Sequence, residues 1–199
     1  MASSGLLEDL IESLRCLPGV GPKSAQRIAL HLLKRDRRAA RRLGEMLIQS
    51  MDNIHHCQQC RLFTESDLCR WCSDPARQSS QLCIVENPAD VMAIERSTDY
   101  RGKFFLLMGH LSPLDGIGPK DLGLHLLDER LKSGDIEEVT MATNPTVEGQ
   151  ATARYITDMA AGYQIPVLQI ARGIPMGGEL EFTDGGTLAV AFSQRTPIN

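Results

Sequence analysis

The segment "CQQCRLFTESDLCRWC" constrains this chain more than any other stretch, because Cys57, Cys60, Cys69 and Cys72 recur as C-x2-C-x8-C-x2-C. Two such knuckles bring four thiolates to the corners of a tetrahedron, about 2.3 Å from a central ion, which is the closed shell of a structural zinc site. The spacing predicts one Zn²⁺ per chain with a compact loop folded around it. The linker is shorter than the common ribbon spacing, and His55 and His56 precede the first knuckle as substitute ligands. A redox C-x-x-C is the rival reading, but that chemistry needs one knuckle and not two. Cys16 and Cys83 stand in apolar contexts and read as buried small hydrophobes.

With 42% hydrophobic and 23% charged residues over 199 positions, the chain reads as an ordinary globular protein. No apolar stretch approaches the roughly 18 residues that span a bilayer. The start "MASSGLLEDLIESL" lacks the basic region and continuous apolar core of a signal peptide. A cytoplasmic protein with no membrane partner is expected, in a compartment where thiols stay reduced. The net charge of −4 hides an asymmetry: between Arg15 and Arg42 there are nine basic residues and one acid, Asp36. A basic segment on an acidic protein predicts that one end meets a polyanion, and the bland alternative is a solvated helix face.

Within that segment, "LPGVGPKSAQRIALHLL" supplies the shape. Leu7, Leu10, Ile11, Leu14 and Leu17 recur at helical spacing before it, and Ala25, Ile28, Ala29, Leu32 and Leu33 do so within it. Between the two helices, Gly19 and Gly21 allow a tight turn and a close backbone approach, and Pro22 suits the first helical position. Loop amides and a helix N-terminus then face outward together, as a phosphate site requires. The stretch resembles the helix-hairpin-helix motif, which grips nucleic-acid backbones without reading sequence. Gly19, Gly21, Lys23, Arg27 and Arg37 are the candidate DNA contacts, and a plain αα-hairpin is the alternative. A third helix follows through Leu43, Met46, Leu47, Met51 and Ile54.

After residue 80 the pattern becomes α/β: strand-length apolar runs at 82–86, 103–109, 138–145 and 166–171 alternate with helical stretches at 88–97, 122–134 and 149–162. Such alternation predicts a parallel sheet with helices on both faces and working residues beyond the C-terminal strand ends. Those ends carry Glu86 and the run Asn144, Pro145, Thr146, Val147, Glu148. They resemble a Toprim domain, whose pattern has a glutamate after the first strand and later a DxD motif followed by Glu-Gly. Glu86 and Glu148 match the glutamates, while Asn144 and Thr146 replace both aspartates. A hard cation wants anionic oxygens, so the pair that remains is expected to hold Mg²⁺ weakly and to form a partner-binding, vestigial site. Tyr100, Tyr155 and Tyr163 lie in or beside these elements, so no separate domain offers a topoisomerase nucleophile. "LDGIGPKDLGLHLL" echoes the hairpin, but a strand precedes it, so it reads as a glycine-turned loop. "ELEFTD" outlines a Walker B strand, yet the chain has no G-x-x-x-x-G-K-[ST] loop.

Taken in order, these motifs and "ARGIPMGGELEFTD" resemble, over the whole chain, the RecR family of bacterial recombination mediators. The resemblance implies a multidomain protein: a helix-hairpin-helix domain at 1–54, a C4 zinc finger at 57–72, a Toprim domain at 80–175 and a C-terminal assembly segment at 176–199. It also implies a non-enzymatic, nucleoid-associated mediator that works with RecO and RecF to place RecA on gapped DNA. Assembly into a homodimer or a ring-shaped tetramer is implied as well. An Mg²⁺-dependent Toprim nuclease or topoisomerase-like enzyme is the alternative, and a zinc scaffold that binds only proteins is a third reading.

Overall fold

A computed structural model describes residues 5–195 and Pro197; the outermost residues of the N-terminal domain and of the C-terminal segment lie outside the described residues. The chain divides into two compact units, residues 1–54 and 55–199.

The first unit is three helices: α1 (Leu6–Leu14), α2 (Pro22–Arg35) and α3 (Arg37–Asn53). Gly19 takes a φ of +77° in the turn before α2, a region that side chains with a Cβ rarely adopt. Gly21 caps α2, with its carbonyl accepting from the Ala25 N–H at 2.9 Å and Pro22 at the first helical position. One residue, Asp36, separates α2 from α3, and its carboxylate accepts from the Ala39 N–H at 2.9 Å as the N-cap of α3. That cap starts α3 at Arg37, well before Leu43, where the apolar period begins. Ala25 and Ala29 are the buried residues of these helices. The apolar stripe of Leu43, Met46, Leu47, Met51 and Ile54, by which the third helix is recognised, is exposed. Periodicity marks which face of a helix is apolar but not what covers it.

The second unit opens with a small antiparallel ribbon, β1 (His55–His56) and β2 (Phe63–Thr64), and a single helical turn, α4 (Arg70–Ser73). There follow β3 (Gln78–Val85), α5 (Pro88–Ser97), β4 (Gly102–Leu106), α6 (Leu124–Lys132), β5 (Glu138–Ala142), α7 (Val147–Ala161) and β6 (Val167–Gln169). A 3-10 turn at Leu180–Phe182 and α8 (Gly185–Ser193) end the described chain. Strands β3 to β6 form a parallel sheet in the order β4-β3-β5-β6. Alternation then divides the core. Leu82, Ile84, Phe105, Leu107, Val139 and Met141 pack with α6 and α7 on one face. Cys83, Val85, Phe104 and Leu106 pack on the other face with Val91 of α5 and the four-cysteine segment.

Candidate functional site

The four cysteine sulfurs lie within 4.8 Å of one another, and all four residues are buried. A tetrahedron with bonds of about 2.3 Å has edges of roughly 3.8 Å, so the donor set fits Zn²⁺. Cys60 Sγ and Cys69 Sγ are 3.4 Å apart, and the Cys69 N–H donates to Cys57 Sγ at 3.3 Å, as a thiolate invites. Their shared hydrogen bond pushes the Cys60 thiol up and holds Cys69 down, so the cluster opposes full ionisation until a cation joins it. Arg61, at φ 68°, turns the first knuckle; its N–H donates to Cys57 O, and the Cys57 N–H donates to Leu62 O. Among the described residues, neither histidine belongs to the cluster. His56 Nδ1 lies 2.8 Å from Arg61 O, and its ring stacks on Phe63. Cys83 is buried as expected, its thiol pushed up to about 12 by desolvation, whereas Cys16 is exposed because it follows the last turn of α1.

Three cations that sequence reasoning missed tie this centre to the sheet. Lys103, 7% exposed, donates from Nζ to the carbonyls of Trp71, Cys72 and Asp74 at 2.9–3.0 Å. Arg130 donates to Gln59 O and Phe104 O. Arg61 donates to the carbonyls of Leu106, Leu107 and Leu122, and burial lowers its pKa and that of Arg130. The Leu106 N–H, on the side of β4 away from β3, donates to Cys60 O at 2.9 Å. The cysteine loop thus covers the outer edge of β4. The sequence offered little signal for these cations: Lys103 stands directly before the apolar run "FFLL", and Arg130, in "DERLK", looks like an ordinary helix-surface charge.

At the C-terminal end of the sheet, Glu86 follows β3 and is 2% exposed. Its two oxygens accept from the Asn144 backbone N–H at 2.9 Å and the Asn144 side-chain amide at 2.6 Å, and His110 Nδ1 is 3.7 Å away. Thr146 caps α7 by accepting from the Gly149 N–H, and Glu148 is partly exposed on the first turn of that helix. A Cβ at Gly149 would overlap Asn144 O and come within 3.0 Å of Glu86 Oε1. The expected acidic patch is therefore reduced to Glu148, because the Glu86 carboxylate is buried and bonded to Asn144.

In the first unit, Lys23 and Arg27 are exposed one turn apart at the start of α2, with no acid beside them in its first turn. A Cβ at Gly19 or Gly21 would meet nothing within 4 Å, so the backbone of the turn is open to an approaching strand. Arg37 is exposed too, but its Nε donates to Leu33 O at 2.9 Å and so also caps α2.

Four family descriptions match the chain in order: RecR, helix-hairpin-helix, over residues 7–51; RecR, four-cysteine zinc finger domain, over 54–74; Toprim domain, over 80–171; and RecR, C-terminal, over 173–196. The chain is similar to the recombination protein RecR of Saccharophagus degradans (strain 2-40), at 57% identity over 195 residues, covering 98% of this chain and 99% of that protein.

Proposed function

The chain belongs to the RecR family of recombination proteins, and on that premise we propose that it is a non-enzymatic mediator that holds DNA phosphate at its glycine hairpin. The observation that carries this reading is the open turn at Gly19 and Gly21, set directly against the basic first turns of α2 with Lys23 and Arg27. The main chain of the turn, a helix N-terminus and two cations stand together there, the groups that hold a phosphate backbone whatever its sequence. With RecO and RecF as partners, the protein places RecA on gapped DNA. Glu148 offers RecO an acidic contact, and association of copies through the exposed apolar face of α3 builds a dimer or a ring.

The reading of the Toprim end as non-catalytic is supported by the Asn144 amide. It donates to Glu86 at the place where an aspartate and a cation would stand in a metal-dependent member of the superfamily. Any Mg²⁺ binding there is weak, and a plasmid-nicking assay in Mg²⁺ discriminates the enzyme alternative.

The DNA reading is tested with Lys23→Ala combined with Arg27→Ala. Both side chains are exposed, so the melting temperature stays near that of the parent. The slope of log affinity for duplex DNA against log salt falls by roughly 0.9 for each phosphate that the variant no longer neutralises. A slope equal to the parent's removes the hairpin as the DNA site.

A further inference from the structure

α3 opens with four arginines met by a single acid at its start, the N-cap Asp36. Arg37 and Arg38 occupy its first turn, where the helix dipole disfavours positive charge, and that turn itself holds no acid beyond the capping Asp36. Arg41 and Arg42 follow at four-residue spacing from each, where like charges on a helix repel. Among the described residues, no carboxylate forms an ion pair with any of the four arginines, and all four are exposed. They line one open groove of about 590 Å³ on α3, closed toward the C-terminal end of the helix by Glu45. Four exposed like charges gathered on one helix face form a surface whose mutual repulsion a ligand of opposite charge offsets.

We propose that this groove, which takes in Arg37 from the contacts expected in the sequence, is a second phosphate-backbone contact beyond the hairpin's Lys23 and Arg27, with a nucleic-acid strand as its occupant. The inference rests on the reading that the chain binds DNA. The guanidinium fork matches two phosphate oxygens at once, which lysine cannot do. The pair Arg37 and Arg38 and the pair Arg41 and Arg42 are about 6 Å apart along the helix. A duplex strand presents one phosphate per roughly 3.4 Å of axis, so the two pairs address two phosphates of one strand. Arg37 is held by its bond to Leu33 O, which leaves its two terminal nitrogens for the anion. α3 carries no aromatic side chain to stack on a base, so the contact is independent of sequence.

The test uses the full-length, zinc-loaded protein with Arg38→Gln, Arg41→Gln and Arg42→Gln together, leaving the α2-capping Arg37 in place. Removing three repelling charges holds or raises the melting temperature, which separates a binding defect from a folding defect. Affinity for labelled duplex and single-stranded DNA, read by anisotropy across a salt series, is expected to fall at least tenfold at low salt. On duplex DNA the salt slope falls by roughly 0.9 per phosphate left without its arginine. Affinity and slope equal to the parent's, in a protein whose hairpin variant Lys23→Ala/Arg27→Ala does lose binding, overturn the groove and spare the hairpin. A parent protein that binds neither DNA overturns the underlying reading and this one with it. Poly-glutamate is the other arm: loss of its binding in the triple variant, with DNA binding unchanged, assigns the groove to an acidic protein segment and overturns the proposal.

Discussion

Asn144 decides the character of the sheet's C-terminal end, because one neutral side chain does there what an ion does elsewhere. Glu86 is buried, and a buried carboxylate needs donors or a cation close by; Asn144 supplies two donors. Asn144→Asp removes the side-chain donor and sets a second carboxylate against the first, so the zinc-loaded variant is expected to lose about 2 kcal/mol of stability in buffer without Mg²⁺. Millimolar Mg²⁺ should recover part of the loss, since it neutralises the pair. Thermal melts of the zinc-loaded protein with and without Mg²⁺ check this, and a variant as stable as the parent without Mg²⁺ shows that the amide is not standing in for a cation. The replacement of both motif aspartates was legible in the sequence. The burial of Glu86 was not, because it depends on the loop at Asn144 folding back over the end of β3.

At the scale of elements, the cysteine loop is an edge cover for the sheet and not a separate bead. An exposed edge strand invites pairing with other chains, and here Leu106 N–H is taken by Cys60 O while Lys103 and Arg130 bind the loop's carbonyls. Zinc removal is therefore expected to act beyond the loop. Chelation should lower the melting temperature of the whole second unit and expose the Leu106 amide to hydrogen exchange. Lys103→Met should weaken the same joint from the other side, leaving three carbonyls short of a donor at a cost of at least about 2 kcal/mol and speeding zinc loss to a chelator. A sheet that melts unchanged after chelation, with Leu106 still protected, would show the loop to be independent. Cysteine spacing made the metal site readable, since four ligands at fixed intervals admit few geometries. The joint was not readable because its acceptors are main-chain carbonyls, which look alike in every sequence.

For the molecule as a whole, the period of apolar residues located most helices and strands of the second unit, where a sheet and its covering helices complete one another within one chain. The same period in the first unit marked a face that one copy leaves open, with Met51 75% exposed and Leu47 and Ile48 more than half exposed. Three helices that bury two alanines fully have little core of their own, and small domains without one need a further stabilising element, an additional copy among them. A stripe at three- and four-residue spacing suits a helix from another copy, packed ridge into groove. Leu47→Glu with Met51→Glu places two charges on that stripe while leaving the cysteine cluster, the sheet and the hairpin residues untouched. Light scattering should then report a smaller particle than the parent at the same concentration, with zinc content unchanged. DNA binding at low salt should weaken as well, because copies joined in one particle hold a strand at several hairpins and each alone holds it at one. A parent and variant of equal mass would remove the stripe as a surface for self-assembly.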